Sequence, residues 1–375
     1  MTSSSCSTSA HGASCVTADP SVTGTTTVNS TMNVVSMSAF GEPDVLGQQV
    51  VDTPRPRPGH VLIKVLATGV NRLDHYIRLG DITRDLALPH VLGVDAAGEV
   101  AALGEGVSDF QLGDRVLPSL GYASDADESS VRPVASAASF TLQGLHGPGT
   151  YAQYFEFPAA FLLKDDTGLS PAEAATLPVV LGSSVRALKI VGEVKPGDKV
   201  LIHSGASGSG SMQIQVAKAL GAQVATTVRR SEKADFARGL GADLVINTTQ
   251  EDTLEAILAW TDGRGVDVTV DNLGGDVLAT SVAATRPFGI VVVYGLVAGA
   301  EARLDVPEIM FGQKQLRGSL VADPEDLRWG LRQVREGRVH ALVDRELPLH
   351  RAAEAHQLIA AGTVQGNIVL LPWSD

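Results

Sequence analysis

The segment GASGSG (205–210) has the residue types and spacing to hold a phosphate. Gly205 allows a tight bend. Gly208 and Gly210 carry no side chain, so a pyrophosphate can approach backbone N–H groups, with Ala206, Ser207 and Ser209 completing the cradle. A strict G-x-G-x-x-G from Gly205 would want glycine at 207, where the chain has Ser207. Further on the chain reads Val228, Arg229, Arg230, with Lys233 one turn later. A ribose 2′-hydroxyl calls for Asp or Glu at that point; two guanidinium groups suit a 2′-phosphate. The chemistry implied is NADPH binding, set against the plainer reading of a solvated basic turn.

A strand–turn–helix–strand unit must position these residues. Residues 200–203 are an apolar run of a buried strand. Residues 212–220 place Ile214, Ala217 and Leu220 at helical spacing, and Gly221 stands where a C-terminal cap belongs. Strands are expected at 200–203, 223–228, 243–248, 266–271 and 290–296. Helices are expected near 211–220, 232–240, 253–261 and 276–286. That alternation predicts an α/β fold with a doubly wound parallel sheet.

The residues before it differ. Short strand-like runs at 34–40, 61–68, 91–103, 115–117 and 151–157, broken by glycines, suggest a small β-rich domain. Residues 119–146 are irregular and polar and read as an exposed lobe. Ser170, Pro171 and Glu173 have the spacing of a capping box, and 181–191 reads as a helix linking the domains. Two helical patterns, 324–336 and 351–361, precede a last strand at 367–371. Residues 1–32, mostly Ser, Thr, Ala and Gly, predict a disordered tail without signal or transit character, and Met32 and Met37 are alternative starts.

Composition narrows the function classes. The net charge of −13 argues against a nucleic-acid backbone or an anionic membrane as partner. No apolar run reaches the roughly 18 residues of a membrane span. Both cysteines, Cys6 and Cys15, lie in the tail, so the body has neither disulfide nor thiolate ligand, which suits a reducing cytoplasm.

Individual motifs go further. GVNRLDHYIRLG (69–80) resembles the GVNxxDxxxRxG signature of zinc-independent medium-chain dehydrogenases/reductases, and PHVLGVDAAGEV (89–100) their PxxxGxDxxGxV segment. GDRV (113–116), PGD (196–198) and VDNLG (270–274) match other landmarks. The resemblance covers nearly all of residues 35–372 and points to the quinone oxidoreductase/enoyl reductase branch. It implies a β-rich GroES-like catalytic domain (33–178 and 320–375) and a Rossmann NADPH-binding domain (179–319). It also implies a homodimer paired through an edge strand near 290–296. By the same resemblance, Asn71 lies beside the nicotinamide ribose and the substrate. Tyr76 faces the cleft as donor or steric wall, Ser183 stands near the nicotinamide, and Asn272, Gly295 and Leu296 line the ribose and carboxamide. Asp74 and Arg78, four apart, are expected to form a structural ion pair.

The departures matter as much. Zinc-dependent relatives carry Cys-His where this chain has Asn71-Arg72, and Gly-His-Glu where it has Gly93-Val94-Asp95; the lobe 122–146 holds no Cys. A four-ligand zinc site cannot be assembled from these residues, and no metal is expected. His75 and His146, the nearest metal-ligand types, read as surface or hydrogen-bonded side chains, and His203 as structural. Asp81-Ile82 stand where enoyl reductases often have Tyr, and Gly366-Asn367 where relatives often have Gly-Lys. Without a metal, reducing a simple carbonyl leaves an alkoxide that needs a strong proton donor, whereas a quinone or enone leaves a delocalised anion. The expectation is NADPH-dependent hydride transfer to a conjugated small-molecule acceptor. The alternatives are a zinc-free alcohol/carbonyl reductase and an NADPH-binding protein with little catalysis.

Overall fold

The computed structural model describes residues 28–374. The disordered tail expected over 1–32 lies, up to residue 27, outside the described residues. Its end is a correction: Thr31 and Met32 open β1 (Thr31–Met37), paired with Asp52 and Val51 of β2 (Leu46–Asp52).

β3 (His60–Val70) is the spine of the first half. Val61, Ile63, Val65 and Ala67 alternate along one face and are fully buried. After β3 come α1 (Arg72–Leu79), β4 (His90–Val91), β5 (Ala97–Leu103), β6 (Arg115–Pro118), β7 (Gly121–Ala123), β8 (Phe140–Leu142), β9 (Tyr154–Pro158) and β10 (Leu162–Lys164). One edge of β3 carries β5; the other carries β9 along His60–Lys64. The run 91–103 is not one strand. It leaves the ladder over 92–96, where Gly93 takes φ 108° and packs against Thr150 and Tyr151. The lobe 119–146 is not simply exposed either: Leu120, Val134, Ala137 and Leu145 are buried. Its apolar partners are distant in sequence, which is why local composition misses them.

α2 (Pro171–Ala174) starts at the expected capping box, with Ser170 and Glu173 bonding each other's N–H. α3 (Pro178–Val185) continues into a wider turn over Arg186–Val191. The second half then alternates: β11 (Lys199–Ile202), α4 (Gly208–Ala219), β12 (Gln223–Val228), α5 (Ala234–Gly239), β13 (Leu244–Asn247), α6 (Thr253–Trp260), β14 (Val266–Asp271), α7 (Gly275–Ala284), β15 (Thr285–Val293), α8 (Val306–Gly312) and β16 (Gln315–Gly318). The six strands form one parallel sheet in the order β13-β12-β11-β14-β15-β16. β11 is apolar on both faces because both are covered: Val200 and Ile202 join one core cluster, Leu201 the other. β15 is an interior strand. The outer edge belongs to β16, so pairing through 290–296 is ruled out by the ladder on both its sides.

α9 (Pro324–Arg335), β17 (Val343–Pro348), α10 (Ala352–Ala361) and β18 (Asn367–Leu371) return the chain to the first half. β18 pairs antiparallel with Thr68–Val70 of β3 and parallel with β17. One core cluster joins Ala67 and Leu117 of the first sheet, Leu181 of α3, and Ile202 and Val270 of the second. The two halves therefore share packed apolar surface, and the space left between them is a cleft.

Candidate active site

The cleft has a volume of about 1300 Å³. Asn71, Tyr76, Ser183, Ala206, Ser207, Gly208, Ser209, Arg229, Arg230, Lys233, Asn272, Gly295 and Leu296 all line it. Gly205 and Gly210 do not. Their missing side chains serve packing: a Cβ on Gly205 would stand 2.3 Å from Thr226 Oγ1, and one on Gly210 2.2 Å from the Ser204 carbonyl. Gly208 faces the cleft but packs on the chain's last strand, 2.5 Å from Asn367 Oδ1 to its would-be Cβ. Gly366-Asn367 thus lies directly against the glycine turn.

The turn leads into α4 through Ser207, whose hydroxyl caps Gly210 N–H at 3.0 Å. The backbone of Ser207 and Gly208 bridges to Gly366, and the N–H of Ser209, next in α4, has no acceptor among the described residues. Unpaired donors at the start of a helix make an anion site.

At the tip of β12 the three cations differ. Lys233 Nζ donates to the Gly362 and Val364 carbonyls at 2.9 and 2.8 Å. Its ammonium is held below its ordinary pKa, first by burial and then by the Arg230 charge. Arg230 reaches the Ala361 carbonyl at 3.5 Å. Arg229 is exposed and has no side-chain partner among the described residues. Two of the three cations thus hold the carbonyl end of α10, where the helix dipole is negative, and Arg229 alone is free. A fourth cation, Arg72, was not singled out from the sequence; it lines the cleft and donates to the Ile359 carbonyl at 3.1 Å. Its place directly after Asn71 was the available signal. Among the described residues no Asp or Glu lines the cleft, although the chain carries 42 acids against 29 Lys and Arg.

Asn71 stands at the N-cap of α1. Its Nδ2 donates to Asp95 Oδ2 at 2.7 Å, and its backbone N–H to Asp74 Oδ2 at 2.8 Å. The expected Asp74–Arg78 ion pair is a correction. Asp74 accepts instead from Asn71 and Gly93, and its fully buried carboxyl is pushed up to about 7 by burial. Arg78, fully buried, donates to His356 Nδ1 at 3.2 Å and meets His75 and the Gly41 carbonyl. Burial, with the Arg78 charge second, brings His356 down to about 3. Tyr76 is half-buried and stands beside Arg72. Burial raises its phenol above the ordinary value, and the Arg72 charge opposes that rise. His75 and His146 are hydrogen-bonded, His146 accepting from Leu142 N–H at 2.9 Å. Ile82 puts an apolar side chain in the cleft.

Below the cofactor end, Ser281 Oγ donates to Asp271 Oδ2 at 2.6 Å. His203 Nε2, 2.8 Å from Ser281 Oγ, is therefore the donor in that contact. The chain Asp271–Ser281–His203 ties β14, α7 and β11 together. Asn272 and Tyr294 line the same cleft, but their polar tips are closed off from it, and the Tyr294 hydroxyl stands beside Gln213 and Ser209. The start of α4 and the cationic lining of the cleft fit a dinucleotide.

Metal fits less well. Among the described residues no group of three or more His, Cys, Asp or Glu side chains is placed to hold an ion. No helix is long and apolar enough to cross a membrane.

Residues 57–167 match the family described as alcohol dehydrogenase GroES-like domain, and 208–336 that of zinc-binding dehydrogenase. The chain is 33% identical to a 2-haloacrylate reductase of Burkholderia sp over 88% of this chain and 96% of that protein. It is 29% identical to a quinone oxidoreductase of Pseudomonas aeruginosa, covering 90% and 99%. The crystal structure of an NAD-dependent alcohol dehydrogenase superposes with TM-score 0.85 at 33% identity, covering 91% and 99%. A crotonyl-CoA carboxylase/reductase in complex with NADP gives 0.82 at 26%, covering 92% and 95%.

Proposed function

The chain belongs to the medium-chain dehydrogenase/reductases, in the quinone oxidoreductase-like branch, and on that premise we propose that it is an NADPH-dependent reductase of conjugated acceptors that works without zinc. It is an oxidoreductase of this family that uses a nicotinamide dinucleotide. The acceptor is a quinone or an α,β-unsaturated carbonyl. The observation that carries this reading is the Asn71–Asp95 contact: an amide and a carboxyl bonded to each other at 2.7 Å, in the two segments where zinc-dependent relatives carry Cys-His and Gly-His-Glu. A haloacrylate and a quinone, named for two relatives, are both conjugated acceptors. The free Arg229 and the acid-free cleft support the phosphorylated form of the cofactor.

When bound, the reduced nicotinamide supplies the hydride. Asn71 has a second amide hydrogen beyond the one given to Asp95, and it donates to the acceptor oxygen as negative charge builds there. Tyr76, beside the Arg72 charge, returns a proton. Leu73, Ile82, Leu120, Leu142 and Leu145 keep water from that end. The second reading, a zinc-free alcohol/carbonyl reductase, draws on the same Tyr76–Arg72 proximity, because an alkoxide needs that donor.

The test is a panel of a quinone, an enone, an enoyl thioester and a simple ketone, each with NADPH and NADH, with and without a chelator. Turnover of a conjugated acceptor, faster with NADPH and indifferent to chelator, is expected. Turnover of the ketone alone, or loss of activity to the chelator, would sink the proposal.

A cytoplasmic homodimer is part of the same reading, with the interface moved to the β16 edge. Phe288, Met310, Phe311 and Leu316 are 60%, 58%, 78% and 38% exposed there. Phe311→Glu is expected to raise the dimer dissociation constant at least roughly tenfold, read by light scattering across a dilution series. An unchanged mass would remove this edge as the interface.

A further inference from the structure

Asp95 lies in the 92–96 segment that leaves the ladder, and it is 1% exposed. Both its ends are fixed. Its carbonyl accepts from the hydroxyls of Thr68 and Thr150, each at 2.7 Å. Its carboxyl accepts from Asn71 Nδ2 at 2.7 Å on one oxygen and from Val179 N–H at 2.8 Å on the other. Asn71 belongs to the start of α1 and Val179 to the start of α3, and both line the cleft. Asp95 itself does not. One buried carboxyl therefore spans two walls of the cleft from behind.

We propose that Asp95 is a positioning residue for the reduction: it sets the amide plane of Asn71 and the spacing of α1 from α3, and so aims the remaining Asn71 N–H at the acceptor. This rests on the reductase reading above. A carboxylate can accept from both donors at once. An amide in its place cannot, because its nitrogen must face either Asn71 Nδ2 or Val179 N–H, donor against donor. Asn71 then turns over or α3 loses its anchor.

The groups facing Asp95 are Asp74 from α1 and Tyr151 from the segment before β9, with Arg78 and His356 behind them. Burial pushes Asp95 up to about 8, with the Asp74 charge adding to the rise. Ionisation completes the two-donor clamp, so kcat is expected to rise as pH passes through about 8. That inflection should be missing from Asp95→Asn.

The experiment compares wild type, Asp95→Asn and the exchanged pair Asn71→Asp/Asp95→Asn. Asp95→Asn is expected to lose roughly 10²-fold in kcat, the effect of a reacting group misplaced by about 1 Å, with cofactor KM within about threefold of wild type. The exchanged pair restores complementary hydrogen bonding and should recover thermal stability while remaining inactive, since the amide donor is gone. Recovery of activity along with stability would overturn the proposal, as would full kcat in Asp95→Asn. A second readout needs no turnover. The Asn71 side-chain amide signal, assigned by its loss in Asn71→Asp, is expected downfield in wild type and shifted in Asp95→Asn. If wild type reduces no acceptor, the reductase reading falls and the amide signal still decides the clamp: an unmoved signal refutes it.

Discussion

Arg229→Asp is expected to lower kcat/KM for NADPH by roughly 10²-fold or more and to leave NADH within a few-fold of wild type. A charge-assisted hydrogen bond contributes about 1.5–3 kcal/mol, or roughly 10- to 150-fold in binding. Placing a carboxylate against a 2′-phosphate adds repulsion to that loss. The prediction singles out Arg229 because the other two cations are engaged: Lys233 with the Gly362 and Val364 carbonyls, Arg230 with Ala361. Lys233→Met should mainly loosen the end of α10 and affect both cofactors alike. Initial rates with the two cofactors, on the best acceptor of the panel, check both variants. An unchanged NADPH-to-NADH ratio in Arg229→Asp would refute the assignment of the 2′-phosphate to this strand tip.

Asn71→Ala is expected to lower kcat for a conjugated acceptor by roughly 10²–10³-fold, the cost of removing one oxyanion donor. Cofactor affinity should change by less than about fivefold, because the phosphate cradle sits at the start of α4, in the other half of the chain from α1. Asn71 also begins α1, so some stability is lost, about 1 kcal/mol for a helix cap. Thermal melting measured beside the kinetics separates the two effects. A variant that melts near wild type and keeps its kcat would show that Asn71 does not touch the developing charge.

The dinucleotide half was readable because its signals are local. Val200, Leu201 and Ile202 are buried on both faces of a covered sheet, so the strand reads as an unbroken apolar run. The glycine turn was readable for a related reason. Gly205 and Gly210 leave room for Thr226 and for the Ser204 carbonyl, and only glycine allows such close approach. β17 escaped notice because an edge strand needs only one buried side, and its Asp344, Arg345 and Glu346 carry the charge expected at an edge.

The same contrast runs through the site. Spacing alone could bring Asp74 and Arg78 onto one turn of α1, and it does; it could not say what each would meet. Arg78 turns to His356, 278 residues away, and Asp74 to the N–H of Gly93. Lys233 was legible as a cation near the strand tip, but its commitment to α10 was not, because α10 follows more than a hundred residues later.

The residues themselves determined the parallel sheet, the glycine turn that opens α4 and the cationic strand tip, since each depends on residue type within one turn or one strand. Tertiary structure decided which cations stay free, that Asp95 holds Asn71 from behind, and that β16 is the outer edge. Those outcomes depend on which distant groups compete for the same donor or acceptor, and only the packed chain brings the competitors together.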